Sequence, residues 1–486
     1  MIYKLRPYQE ECVKSISDYI NSDRHDPVLV IGPVGCGKSI LIAEAARLMG
    51  DKTLVLQPSL ELLIQNYCKL TSYGIPATIY SASCGKKELS NMIYATLGSI
   101  KKVVGQLKEM GIRNVLIDEA HAGYSPEDGS EFMTFMNELK PRKVIGFTAT
   151  PCRLKNMSIG QTSYSQLNFI TRMRPVYFKN LIHVIQVEEM IRQGFWTPLK
   201  YETWDFNGDA LKLNSNGSEY TAESISEAVR KKGLNNLILR RLMVLKDVCR
   251  SILVFMDSVE SCNTAAEWMN AKICAGIAEV VHGGTSKKQR EDIVEGFKSG
   301  KTKVVFNYSA LGTGFDHPGL DCVIVGRPTF SFSSFYQWLG RAVRIKDGKD
   351  SALVVDCCNN SSRFGDIRKL SIENYKGYGW GMFIGDKLIT NIPMGDKVTK
   401  TDLDIKAAKK DRRRGLAQGI TASPVPGRPD HPLGSTVMTF GKYCGWMLHS
   451  IPVSYFKFIN ETFDWDNGRN KEIKEYIDFL IKNNRL

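Results

Sequence analysis

The sequence predicts an α/β protein: two tandem parallel-sheet domains with a connector and insertion between them, and a small C-terminal α+β domain. Two repeated rhythms and one compositional break predict it. Between residues 28 and 147, apolar β-rich runs alternate with helix-like segments: Val28 to Ile31, Thr53 to Leu56, Ala77 to Tyr80, Asn114 to Ile117 and Lys143 to Phe147. The rhythm returns in Ser251 to Phe255, Ala278 to Val281, Lys303 to Phe306, Cys322 to Val325 and Ala352 to Val355. Strands covered by helices on both faces read as such continuous apolar runs. The break follows residue 400, where Lys406-Ala-Ala-Lys-Lys-Asp-Arg-Arg-Arg-Gly415 is followed by Pro424, Pro426, Pro429 and Pro432 with little apolar company.

At 486 residues the chain exceeds what one core holds, and it divides into a first lobe at 1–155, a connector at 156–235, a second lobe at 236–400, a flexible basic linker at 401–432 and a small domain at 433–486. The connector carries the loop signals Asp205-Phe-Asn-Gly-Asp-Ala210 and Asn214-Ser-Asn-Gly-Ser218. The last domain regains aromatic and aliphatic density, with helical periodicity over Val453 to Phe463 and Lys471 to Ile481. Its Phe440-Gly-Lys442-Tyr443-Cys-Gly445-Trp446 mixes basic and aromatic residues, a composition suited to DNA binding or to a structural cap. No repeat at a solenoid period occurs.

Composition excludes several classes. No apolar run approaches the roughly 20 residues that span a bilayer, and Met1 to Gln9 lacks the apolar stretch of a signal peptide, so a cytoplasmic location is expected. The 12 cysteines show no CxxC pair or Cys/His cluster, and are expected to be reduced thiols without zinc. A net charge of +14 favours a polyanionic partner, because Lys and Arg gain affinity by releasing counterions from nucleic acid.

The densest signal is Gly32-Pro33-Val34-Gly35-Cys36-Gly37-Lys38-Ser39, which follows an apolar strand and opens a helix. In that setting backbone N–H groups curl around phosphates, Lys38 reaches the β and γ oxygens, and Ser39 ligates Mg²⁺. Val115-Leu-Ile-Asp118-Glu119-Ala120-His121 puts two carboxylates at the C-terminal end of a buried strand, the edge where open parallel sheets bind ligands. Asp118 suits the metal and Glu119 the attacking water. Phe147-Thr148-Ala149-Thr150-Pro151 offers short hydroxyls that can bond this acidic loop. In Gln337-Trp-Leu-Gly340-Arg341-Ala-Val-Arg344 two arginines three apart share one helix face and can enter a cleft between lobes.

This ordered set resembles a superfamily 2 nucleic-acid helicase of the DEAH-box type over residues 3 to 356, nearest to the phage-encoded branch-migration helicases of the RecG, UvsW and XPB circle. The resemblance implies two RecA-like lobes, an ATP and Mg²⁺ cofactor pair, and DNA as partner, in forked or junction form with single-strand contact. It gives Lys38, Asp118, Glu119, Gln337, Arg341 and Arg344 catalytic roles, with Arg344 as the arginine finger. Tyr3, Arg6 and Gln9 are similar to the family's adenine-reading segment, Gln9 on the base edge; Gly35, Gly37, Ser39, Gly314 and Asp316 complete the nucleotide site. Pro58, Ser59, Thr96, Gly98 and Ser99 in the first lobe, and Asp257, Ser258, His282, Asn307 and Ser309 in the second, correspond to segments that grip one strand. An aromatic wedge is sought in Phe330, Phe332 and Phe335 or in the stretch 160 to 178. The function implied is ATP-dependent unwinding, fork reversal or branch migration in replication, recombination or repair; a duplex translocase, an ATP-gated clamp without unwinding or an RNA helicase are the alternatives.

Overall fold

The computed structural model describes residues 4–159, 162–215, 217–310, 315–407, 432–439, 441–462, 465, 470–483 and 486. The chain forms two compact units, Met1–Leu403 and Asp404–Leu486.

The first unit holds both lobes. Strands β1 (Val28–Ile31), β2 (Thr53–Leu56), β3 (Thr78–Ser81), β4 (Lys86–Lys87), β5 (Met92–Ala95), β6 (Asn114–Ile117) and β7 (Lys143–Thr148) belong to the first sheet. A long hairpin follows, β8 (Cys152–Ile159) and β9 (Thr162–Phe169), and then β10 (Asn180–Val184) returns to that sheet. Its order is β10-β1-β7-β6-β2-β5-β3-β4, parallel except for the short β4. The second sheet takes β11 (Leu199–Thr203), β12 (Ile252–Phe255), β13 (Ala278–His282), β14 (Val304–Tyr308), β15 (Cys322–Val325) and β16 (Ala352–Asp356) in the order β11-β16-β15-β12-β14-β13, all parallel. These are the two RecA-like lobes. Every residue of β1, β2, β6, β12 and β15 is buried, as their unbroken apolar runs require.

Two features differ from the sequence reading. The span 156–235 is not merely a connector, because it supplies an edge strand to each sheet: β10 pairs with β1 and β11 with β16. Edge strands keep one side open and tolerate polar residues, so Asn180-Leu-Ile-His-Val184 and Leu199-Lys-Tyr-Glu-Thr203 carry no long apolar run. Secondly, the tail of the second lobe forms its own antiparallel sheet, β17 (Leu370–Tyr375), β18 (Gly379–Ile384), β19 (Lys387–Leu388) and β20 (Val398–Thr399). The β8–β9 hairpin docks on it, with Asn391 N–H donating to Leu167 O at 2.7 Å and Met394 N–H to Ser165 O at 2.8 Å.

The linker expected at 401–432 lies largely outside the described residues; 401–407 are helical, and Leu403 is buried against Phe383 and Leu388. The second unit has its own core, Met438, Leu448, Ile451, Phe456, Ile459, Ile473, Tyr476, Ile477 and Leu480, built on helices Val453–Thr462 and Lys471–Lys482. Its β structure among the described residues is the antiparallel bridge Val437 to Met447. No described helix is long and apolar enough to cross a membrane. The described residues contain no cluster of His, Cys, Asp and Glu able to hold a metal ion by itself. All 12 cysteines are free.

Candidate active site

The phosphate loop is placed by β1, whose C-terminal end turns through Gly32 to Gly37 into the helix Lys38–Met49. Gly35 and Gly37 adopt φ of 80° and 83°, a region that costs other residues a steric clash. At Gly37 an added Cβ would also sit 2.6 Å from Gln9 Nε2. The loop is held from below: Tyr8 Oη and Gln9 Nε2 both donate to Cys36 O, at 3.1 and 2.8 Å.

Gln9 thus holds the phosphate loop as well as standing in the expected adenine-reading segment. Its Oε1 accepts the Arg6 N–H at 3.0 Å, its Nε2 is spent on Cys36 O, and the residue is 2% exposed. The Nε2 end braces the loop and the Oε1 end caps the helix Pro7–Asn21, each using one of its two hydrogen-bonding positions. Arg6 does line the cleft, its guanidinium stacked 4.6 Å from the ring of Phe195. Tyr3 lies outside the described residues.

Opposite the loop, β6 delivers Asp118 and Glu119. Lys38 Nζ donates to Glu119 Oε1 at 2.5 Å, with the two side chains 17% and 14% exposed. Asp118 Oδ2 accepts from Asn66 Nδ2 at 2.9 Å, and its Oδ1 accepts the Glu119 N–H at 2.8 Å. Glu119 sits at φ 46°, a left-handed conformation held against its own steric cost. Burial, with Glu119 alongside, pushes the Asp118 carboxyl up to about 6. Burial acts on Glu119 too, but the Lys38 ammonium outweighs it and holds that carboxyl below its ordinary value. Glu119 Oε2 is buried and accepts no hydrogen bond among the described residues, lying 3.4 Å from His121 Nδ1.

His121 is threaded between the lobes. Its Nδ1 lies 2.8 Å from Thr148 Oγ1 and its Nε2 3.0 Å from Thr150 Oγ1 and 3.3 Å from Ser333 Oγ. Gln337 Nε2 reaches the same Ser333 hydroxyl at 3.5 Å. Burial pulls the His121 pKa down to about 4, so the ring is neutral and each nitrogen can pair with a hydroxyl.

The second lobe closes the cleft with the helix Phe332–Leu339 and the turn after it. Arg341 Nη1 donates to Phe315 O at 2.6 Å, and Arg344 pairs with the Asp316 carboxylate while its Nη1 also lies 3.2 Å from Phe315 O. Both arginines line a cavity of about 320 Å³ together with Gly35, Lys38, Ser39, Asp118 and Glu119. Burial, then the neighbouring Arg344, lowers the Arg341 pKa to about 9, which is the electrostatic cost of a cation held where an anion is to be received. Gly340 packs so closely that a Cβ there would be 2.5 Å from Val34 of the phosphate loop. Gly314 lies outside the described residues.

The peptide Phe195-Trp-Thr-Pro198 joins both halves. Trp196, 2% exposed, donates Nε1–H to Val34 O at 2.9 Å; Thr197 N–H bonds Val343 O at 2.8 Å and its Oγ1 bonds Arg344 O at 2.7 Å. Ser333 and Asn66 are site residues that sequence patterns did not single out, since each acts through a partner distant in the chain.

The expected strand-gripping residues stand at or just after C-terminal strand ends, with Gly98 and Ser99 in the short helix Leu97–Ile100 that follows β5. Pro58 is exposed; Ser59 caps the helix Leu60–Thr71, accepting from Leu62 N–H at 3.3 Å. Thr96 and Ser99 bond each other at 3.0 Å, with Gly98 exposed between them. Ser309 is exposed at φ 55°. Others are committed to the fold: Asp257 is 5% exposed and accepts from Ser226 Oγ, Ser258 caps the helix Val259–Lys272, and Asn307 is 1% exposed with its Oδ1 accepting Ala310 N–H. Half-buried His282 accepts the Gly284 N–H through Nδ1. Of the wedge candidates, Phe332 and Phe335 are core residues, 1% and 0% exposed, and Phe330 packs edge-on against Tyr220.

One asymmetric carboxylate, a hydroxyl and an open cavity fit a magnesium ion that takes its remaining ligands from phosphate oxygens and water, with Ser39 and Asp118 as the protein donors.

A family model described as "Type III restriction enzyme, res subunit" matches residues 2–153, and one described as "Helicase conserved C-terminal domain" matches 234–346. The Saccharomyces cerevisiae protein provisionally named ATP-dependent helicase IRC3 is 23% identical over 378 residues, 74% of this chain and 52% of that one. The "51.5 kDa protein" of Lactococcus phage (isolate 7-9) is 25% identical over 332 residues, 68% of this chain and 65% of that one. The chain thus spans about half to two thirds of these relatives. Its fold is similar to that of the ATP-dependent Type ISP restriction-modification enzyme LlaBIII bound to DNA, with a TM-score of 0.55 and 16% identity over 74% of this chain and 28% of that one. Two helicase-type matches in this order, together covering more than half of the residues and each resting on its own RecA-like sheet, mean that the chain belongs to the ATP-dependent helicases of superfamily 2.

Proposed function

We propose that the chain is a nucleic-acid-dependent ATPase of the DEAH-box type that drives DNA past itself, acting on forked or junction DNA with contact to one strand. The observation that carries this reading is the composite cavity: Lys38, Ser39, Asp118 and Glu119 come from one lobe and Arg341 and Arg344 from the other. A nucleotide there holds the lobes together, and its hydrolysis releases them.

In the resting arrangement Lys38 and Glu119 neutralise each other. An incoming γ-phosphate competes for the Lys38 ammonium and frees the Glu119 carboxylate to take a proton from water. Arg344 leaves Asp316 for the phosphoryl oxygens, and Arg341 supports the same charge from the side of Phe315. Bound Mg²⁺ would supply charge neutralisation at the phosphates, held through Ser39 and Asp118. His121, Thr148, Thr150, Ser333 and Gln337 carry the state of the acidic loop across the cleft. The +14 charge supports a polyanionic partner, and the restriction-enzyme description of the first family supports DNA over RNA.

The test is ATP turnover measured with single-stranded, duplex, forked and four-way DNA and with RNA duplex. Stimulation greatest with forks or junctions supports the reading; equal or greater stimulation by RNA rejects the DNA assignment. A second reading, translocation on duplex without unwinding, draws on the burial of Phe332 and Phe335, which removes two of the aromatic wedges. Triplex displacement without strand displacement would favour it.

A further inference from the structure

The helix Leu60–Thr71 touches three parts of the motor at once. Leu62, Gln65 and Lys69, on one face, line the nucleotide cavity. Glu61, in its first turn, forms an ion pair with Arg290 on the second lobe's helix Lys287–Ser299. Ser59, its cap, stands on the loop assigned to strand phosphates.

Asn66 points inward from the same helix. It is 0% exposed, and its Nδ2 donates to Asp118 Oδ2 at 2.9 Å. Its Oδ1 has no hydrogen-bond partner among the described residues. A buried amide that satisfies only one end is unfavourable on packing grounds, where a leucine would serve without loss. The single bond it makes falls on the carboxylate assigned to the metal.

We infer that Asn66 is a positioning residue that ties Asp118 to the strand-gripping helix, so that nucleic-acid binding is felt at the acidic loop and the nucleotide state is felt at the strand. The inference rests on the reading of the cavity as a nucleic-acid-stimulated ATP site. The helix moves as a rigid rod, and a shift of well under an ångström carries a 2.9 Å hydrogen bond out of its favourable range. The Glu61–Arg290 pair extends the same rod to the second lobe, so closure of the cleft and strand engagement act on one element. Coupling of this kind is reciprocal: if strand binding improves nucleotide binding, nucleotide improves strand binding by the same factor.

The experiment compares wild type, Asn66→Ala and Glu61→Ala in the full chain. Two quantities are read: the ratio of ATP turnover with and without single-stranded DNA, and the ratio of DNA dissociation constants with and without a non-hydrolysable ATP analogue. Asn66→Ala is expected to cut the turnover ratio by about fivefold or more and to bring the affinity ratio close to one. Glu61→Ala, at an exposed position, is expected to keep basal turnover and lower both ratios by about twofold. A residue that merely supports Asp118 would lower turnover by the same factor with and without DNA and leave both ratios intact, which overturns the inference. If Asn66→Ala fails to fold, unchanged ratios in Glu61→Ala overturn it alone. Wild-type turnover insensitive to every nucleic acid would instead reject the proposed function, a distinct outcome.

Discussion

Thr150 of the first lobe and Ser333 of the second lie with their hydroxyl oxygens 3.2 Å apart, and His121 Nε2 is within hydrogen-bond reach of both. This is a polar crossing of the cleft with no charge in it, since burial keeps the imidazole neutral. Such a crossing can be made and broken at small cost. Ser333→Ala should therefore leave the KM for ATP near the wild-type value and lower the DNA-stimulated kcat by roughly 2- to 10-fold, the equivalent of one hydrogen bond of about 0.5–1.5 kcal/mol. Steady-state turnover at saturating DNA checks it; an unchanged kcat would mean that the crossing does not transmit.

Gly340→Ala should impair closure through shape alone. The new methyl group meets Val34 at 2.5 Å, and Val34 is held by the Trp196 bond to its carbonyl. Overpacking of this kind costs about 1–3 kcal/mol. Turnover should fall about tenfold or more while circular dichroism stays native. Val34→Gly in the same chain, which also removes the Val34 Cβ at 2.6 Å, should restore much of the loss, and absence of rescue would place the defect elsewhere.

Lys38→Ala and Arg344→Ala should each abolish ATP turnover, by about 10³-fold or more for the arginine. Their effects on stability should differ. Lys38→Ala leaves Glu119 unpaired in a largely buried site, a loss of up to about 3–5 kcal/mol, whereas Arg344→Ala removes a cation from the half-exposed Asp316 and costs little. Thermal melts in the absence of nucleotide distinguish the two.

The pH dependence of kcat/KM for ATP should show one acid limb. Asp118, raised by burial and by Glu119 to about 6, is charged above that pH and protonated below it, so turnover falls as pH drops through about 6. His121, lowered by burial to about 4, stays neutral throughout and adds no inflection between 5 and 8. An acid limb that vanishes in His121→Gln would assign the titration to the histidine instead.

Phe195→Ala should raise the KM for ATP several-fold with little change in kcat, since the ring and the Arg6 guanidinium stacked on it line the cavity together.

Much of this protein is legible in its residue order. The apolar runs of β1, β2, β6, β12 and β15 stand where the pattern puts them, because a strand buried on both faces has no alternative to continuous hydrophobicity. The phosphate loop follows β1 and opens a helix as its residue order requires, whereas Arg341 and Arg344, expected to share one helix face, stand in the turn beyond Phe332–Leu339. Edge strands β10 and β11 were hidden, because one open face relaxes the hydrophobic demand. The second sheet's antiparallel appendage was hidden for a related reason: a strand pair as short as β19 and β20 has too few residues to show a period.

What only the tertiary structure decided is which distant groups meet. Asn66 with Asp118, Trp196 with Val34, Ser333 with Thr150 and Gly340 with Val34 are pairs separated by 52 to 306 positions. Gln9 is a residue of the expected type whose Nε2 the fold also uses to hold the loop. Local chemistry requires only its own neighbours and so is written along the chain. Coupling between lobes is a property of packed surfaces, and surfaces exist only once the sheets have assembled.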